Sequence, residues 1–194
     1  MKINEVELIP DYNPGEKRKD PILKGKGHGV KKEIEYGDAV KLGTYKNHTI
    51  YMSDEQHAFE DATNKFFAID NETELPTIFV SGVLRKKKNW MRFTISILQA
   101  RKGNKLKADE FYRFLMLKLP LILVTYQQSY GGLKVWQKLS ADPQLTVFGW
   151  KNGKAINVDP RDEMDTHATH SDAYSEPESK DVYNIALIAH RKIK

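Results

Sequence analysis

Between Lys41 and Leu98 short apolar runs are separated by polar turns, with strict alternation around Arg92, Thr94 and Ser96, whereas from Lys107 to Leu119 apolar residues recur at every third or fourth position. The change of period divides the chain into a strand-rich half and a half in which helices and strands take turns. Lys41-Leu42-Gly43-Thr44-Tyr45 and His48-Thr49-Ile50-Tyr51-Met52 flank Lys46-Asn47, which predicts a hairpin. Ser53-Asp54-Glu55 then reads as a helix N-cap with early acids, opening a short helical turn toward Ala62. Three strand-like runs follow, Phe66 to Ile69, Thr77 to Leu84 and Trp90 to Leu98, and the alternation around Arg92, Thr94 and Ser96 suggests an antiparallel meander.

From Lys107 to Leu119 the spacing of Phe111, Phe114, Leu115 and Leu119 predicts a helix with one apolar face, ended by Pro120. Leu121-Ile122-Leu123-Val124 is a short continuous apolar run of the kind found in a buried strand. A second helix is predicted from Gly131 to Leu139, a strand from Leu145 to Phe148, and a last strand from Val182 to Ala189 that returns to the sheet. Strand, helix, strand, helix, strand in so short a stretch implies an α/β (α+β) architecture with at least one parallel pair. The polar stretch 151–181 is a long loop for a compact domain and is expected to be functional or mobile. Pro10 to Lys41, rich in Gly, Pro, Lys and Asp, reads as an extended leader, so the organisation expected is a basic N-terminal arm, 1–41, and one domain, 42–194.

Composition narrows the chemistry. With no cysteine there is no disulfide, no thiolate metal site and no thiol nucleophile, which suits a reducing, cytoplasmic setting. The longest apolar stretch, Leu115 to Val124, is interrupted by Lys118 and Pro120 and falls far short of the ~20 residues of a membrane span. Acids within the first seven residues argue against a secretory signal. A net charge of +5, from 31 basic and 26 acidic residues, suits an anionic partner without requiring one. The run Arg85-Lys86-Lys87-Lys88 is read first as a solvated turn, with phosphate binding as the alternative.

The order of elements, together with Gly103 to Ala108, Phe111-Tyr112 and Leu123 to Gly132 followed by Trp136 and Leu139, resembles the GNAT (N-acetyltransferase-like) family, and in particular acetyltransferase-like proteins of tailed bacteriophages. The resemblance spans roughly residues 42 to 150. It implies an acetyl-CoA site in the loop after the strand ending at Leu98, where Arg101, Lys102, Gly103, Asn104 and Lys105 stand at the family's pyrophosphate-binding turn, with one glycine where the family prefers two. It also implies a splay between that strand and Leu121 to Val124 to admit the pantetheine arm, unless Leu98, Tyr126 or Trp136 fills it. The family's second signature puts Ser129 at its Asn, Gly132 at its small residue and Trp136 at the tyrosine that acts as general acid. Trp has no such proton to give. Tyr126 and Tyr130 are the substitutes nearby, and no acid/base pair stands out, because Ser81, Thr94 and Ser96 occupy strand positions where a carboxylate is needed and Asp70, Glu72 and Glu74 lie in a turn.

Asp165-Thr166-His167-Ala168-Thr169-His170-Ser171-Asp172 carries two histidines three apart between two acids, a weak candidate for a divalent cation. Two readings of function follow. In one, a GNAT-like enzyme transfers an acetyl group from acetyl-CoA to an amine. In the other, a non-catalytic GNAT-fold protein, a phage virion or interaction protein, binds a protein or nucleic acid through its basic arm.

Overall fold

The computed structural model describes residues 39–55, 63–101, 103–126, 130–151, 153–157 and 185–192. Their strands form one nine-stranded sheet, mostly antiparallel, in the order β1-β2-β3-β4-β5-β6-β9-β7-β8. The first five, β1 (Ala39–Tyr45), β2 (His48–Glu55), β3 (Thr63–Asp70), β4 (Pro76–Lys86) and β5 (Met91–Ala100), make the expected antiparallel meander. β1 and β2 are joined at Lys46 and Asn47, both at positive φ (45° and 60°), the two-residue turn whose twist matches that of its strands. β1 begins at Ala39, ahead of the expected domain start. The rest of the arm, residues 1–38, lies outside the described residues, as do the two histidines of the 151–181 stretch, His167 and His170.

One local reading is corrected. Ser53-Asp54-Glu55 is not a helix cap: these residues extend β2, paired with Lys65, Asn64 and Thr63 of β3, and the helical turn expected toward Ala62 lies outside the described residues. A cap-like triplet is a local preference, and a full ladder against a neighbouring strand outweighs it.

Helix α1 (Ala108–Lys118) buries Phe111, Tyr112, Leu115 and Met116 along one face, carries Asp109 and Glu110 in its first turn and Lys118 in its last, in keeping with the helix dipole. Leu119 is extended, as a residue before proline must be, and Pro120 starts the turn into β6 (Leu121–Thr125). α2 (Tyr130–Ser140) follows, then β7 (Leu145–Lys151), β8 (Lys154–Ile156), a strand the sequence did not announce, and β9 (Ile185–Arg191). β5 and β6 are parallel and β9 slots between β6 and β7, antiparallel to both. Arg113, reaching Asp142 and Gln144, and Lys138, reaching Asp109, tie the two helices to each other and to the start of β7.

The main core lies between the sheet and these helices. Phe66 and Phe93 meet edge to face at 4.9 Å in its centre, with Ile50, Val80, Leu123, Leu187 and Trp136 around them. The Tyr112 hydroxyl is buried there without a partner, and burial pushes its phenol well above the ordinary tyrosine range. A second small cluster, Phe67 and Phe79 with Tyr51, sits on the other face of β2 to β4. Gly82 is the tight point of the sheet: opposite the extra residue of a bulge in β5, a Cβ here would lie 2.1 Å from the Thr94 carbonyl oxygen.

Candidate functional site

Two places bear on function: the loop between β5 and α1, and the sheet face turned away from the helices. The loop is fastened at several points. Arg101 donates its backbone N–H to Thr77 O (2.8 Å) and its Nε–H to Pro76 O (3.2 Å). Gly103 has φ of +79°, which a turn here requires, and a Cβ on it would meet nothing within 4 Å. Asn104 is wholly engaged: its backbone N–H donates to Arg101 O, its Nδ2 to Leu106 O (2.6 Å), and its Oδ1 accepts from Leu106 N–H (3.2 Å) and faces His48 Nε2 (3.0 Å). Lys105 reaches Glu72, and Lys102 lies outside the described residues.

His48 anchors this arrangement from beneath. Its ring is fully buried, Nδ1 is 2.6 Å from Lys46 O, and Nε2 faces an Asn104 oxygen whose identity the Leu106 contacts fix. Both nitrogens thus lie within hydrogen-bond distance of an oxygen. The Asp70 carboxylate lies 3.7 Å from Nε2. Asp70 in turn accepts the N–H groups of Glu72 (2.8 Å) and Thr73 (3.1 Å). The Thr73 N–H is the largest reason its carboxyl is held below the usual range, against burial, with Glu72 and His48 adding to it.

A carboxylate depressed on folding stabilises the native state above its unfolded pKa, and that contribution is lost as pH falls through the folded value. Stability should thus drop in the acid range below the ordinary aspartate pKa, and Asp70→Asn should be less stable at neutral pH while showing a shallower acid decline. Urea unfolding at stepped pH reads both; parallel curves for the two proteins would contradict the assignment.

The start of α1 bears directly on an anion site. Glu110 reaches back to accept the Lys107 N–H (3.1 Å) and pairs with Lys46 of the first hairpin. Burial pushes the Glu110 carboxyl up, but Lys46 and the Lys107 N–H outweigh it and hold it below the usual glutamate range. A side-chain carboxylate thus sits at the helix start where a pyrophosphate would dock, with Asp109 beside it. Trp136, at the general-acid position of the resemblance, is buried in the core. Tyr126 is 42% exposed just beyond β6, and Tyr130 opens α2.

Neither a family model, nor a curated protein, nor a solved structure matches the chain. No helix among the described residues is long and apolar enough to cross a membrane, and no group of three or more His, Asp or Glu side chains among them could hold a metal ion.

The open sheet face is the second place. Register aligns Arg85, Arg92, Ile122 and His190 in one row across β4, β5, β6 and β9, and Thr94, Val124, Ile188 and Phe148 in the next. Trp150 stands opposite Ala186 in a third, with Tyr126 alongside and Trp90 at the far end. All of these but Arg85 and Thr94 line an open trough of ≈ 350 Å³. The alternation around Arg92 announced that one face of this strand is not core. What it could not announce is that Trp90 and Trp150, far apart in sequence, share that face.

Proposed function

We propose that this chain is a GNAT-like domain that acts by binding a partner, without acetyl transfer. The likeness is supported by the parallel β5–β6 pair with α1 crossing over between them, the bulge in β5, and the insertion of β9 between β6 and β7. The observation that carries the non-catalytic reading is the pair of carboxylates in the first turn of α1, Glu110 held there by the Lys107 N–H and by Lys46, which sets negative charge where the cofactor's phosphates would dock. Trp136 in place of a tyrosine acid agrees with it. The partner class is protein or nucleic acid, with the basic arm contributing, and the setting a host cytoplasm or, for a phage-encoded chain, the virion.

Calorimetric titration with acetyl-CoA and with CoA tests this directly. The expected result is no binding heat at millimolar ligand. Micromolar affinity that disappears in Gly103→Glu would overturn the reading and restore an enzyme.

One observation favours that second reading, transfer of an acetyl group to an amine. β5 and β6 pair only from Met91/Leu121 to Thr94/Val124, and β5 runs on to Ala100 without β6 beside it. A notch of that kind is where the family admits the pantetheine arm, and Tyr126 stands at the end of β6 next to it.

A further inference from the structure

We propose that the trough on the open face of the sheet binds single-stranded nucleic acid, bases stacking on its aromatic side chains and phosphates meeting Arg92 and its cross-strand neighbour Arg85. The proposal rests on the reading of the chain as a binding domain and names its partner.

Large apolar side chains exposed on a folded domain mark interaction surfaces when they cluster. Here Trp90 (39%), Tyr126 (42%) and Trp150 (42%) are exposed, and all three line this one trough, with Phe148 between them. Tyr126 on the β6 side and Trp150 on β7 are separated by β9, so their backbones stand about 10 Å apart, two strand spacings. Aromatic rings set out across a flat sheet are a platform for unstacked bases, tolerant of sequence because every base has a π-face.

Charge selects the occupant. Arg85 and Arg92 are directly cross-strand, a like-charge pair that costs stability in a bare sheet. Among the described residues neither has a carboxylate within ion-pair distance. His190 continues their row, and no acidic residue lines the trough. Lys87 and Lys88 are exposed at the turn leading into Trp90, and Arg191 and Lys192 follow β9. An apolar protein partner would be served by the aromatics alone; it gives the two facing arginines nothing to neutralise. A polyanion whose bases are free to stack uses both sets. Duplex DNA, with its bases hidden, would use only the cations.

The experiment is binding of 5′-labelled (dT)20 and (rU)20 to the full chain by fluorescence anisotropy, alongside quenching of intrinsic tryptophan emission. Two of the chain's 3 Trp line the trough and Trp136 is buried in the core, so quenching reports the trough itself. Expected are saturable binding with quenching, weaker binding to a 20-bp duplex, and a loss of at least about tenfold in affinity for Tyr126→Ala/Trp150→Ala, whose side chains are exposed and whose removal leaves the fold intact by circular dichroism. Arg92→Ala should weaken binding and reduce the slope of log affinity against log salt by about one unit. Oligonucleotide binding that is unquenched and unchanged in these variants would overturn the trough as the site while leaving a binding domain that uses its arm. No oligonucleotide binding at all, with acetyl-CoA also inert, would overturn the nucleic-acid assignment and point to a protein occupant. Tight acetyl-CoA binding instead would remove the underlying reading itself.

Discussion

Phe93→Ala should lower the free energy of unfolding by about 4 kcal/mol, the largest loss expected from any single truncation in the domain. The ring is fully buried and meets Phe66 edge to face at 4.9 Å, so truncation removes both the transfer free energy of the side chain and an aromatic contact. Its strand neighbours cannot close in, because β5 is held on both sides: by β4 from Lys86 to Ile78 and by β6 from Leu121 to Val124. Urea denaturation followed by circular dichroism measures the loss. A value below about 1.5 kcal/mol would mean that the surrounding core collapses into the space and is less rigid than its packing implies. Phe93→Leu, which keeps most of the volume, should recover more than half of the deficit.

Gly82→Ala should cost about 3 kcal/mol by a different route. The added methyl would stand 2.1 Å from the Thr94 carbonyl oxygen and 3.0 Å from the Phe93 ring, and the nearer atom is backbone that cannot rotate away. β4 and β5 must then separate at the bulge, loosening the register that places Arg85 opposite Arg92. Stability and oligonucleotide affinity should therefore fall together in this variant, whereas Phe93→Ala should leave the affinity of the still-folded fraction near normal. Because the Gly82 and Phe93 positions touch, the two costs should not add in the double variant. A Gly82→Ala protein as stable as wild type would show that the bulge slides at little cost.

Much of the architecture was legible along the chain. The alternation around Arg92, Thr94 and Ser96 marked β5, where Phe93 is buried and Arg92 and Thr94 beside it are only half-buried, whereas Thr77 to Leu84 showed as a strand-like run and is buried on both faces from Pro76 to Gly82. The three-to-four spacing of Phe111, Phe114 and Leu115 marked α1, and Pro120 its end. Failures came where non-local pairing decides. Ser53-Asp54-Glu55 has the local chemistry of a cap, yet Thr63 to Lys65 recruit it into a ladder. Lys154–Ile156 is too short to show a period and is a strand only because β7 turns back beside it.

The candidate sites follow the same division. Gly103 was visible as the turn between β5 and α1, since a positive φ calls for glycine. That Asn104 is spent on His48 and Leu106, and that Glu110 closes the helix start against Lys46, required knowing which hairpin tips lie over the loop. The trough was hidden for a related reason: its rows draw on β4, β5, β6, β9 and β7, and only the strand order brings Arg85, Tyr126, Trp150 and His190 to one surface.

That strand order also sets a timetable for the newly made chain. β6 and β7 emerge from the ribosome well before β9, the strand that must lie between them. Until Ile185 to Arg191 is available, each carries an open edge of unpaired N–H and C=O groups, and the aromatic floor is split in two. The interval is when nascent chains are most exposed to mispairing and most in need of a chaperone. It is also a safeguard, since a chain interrupted before β9 cannot assemble the surface that would engage a partner.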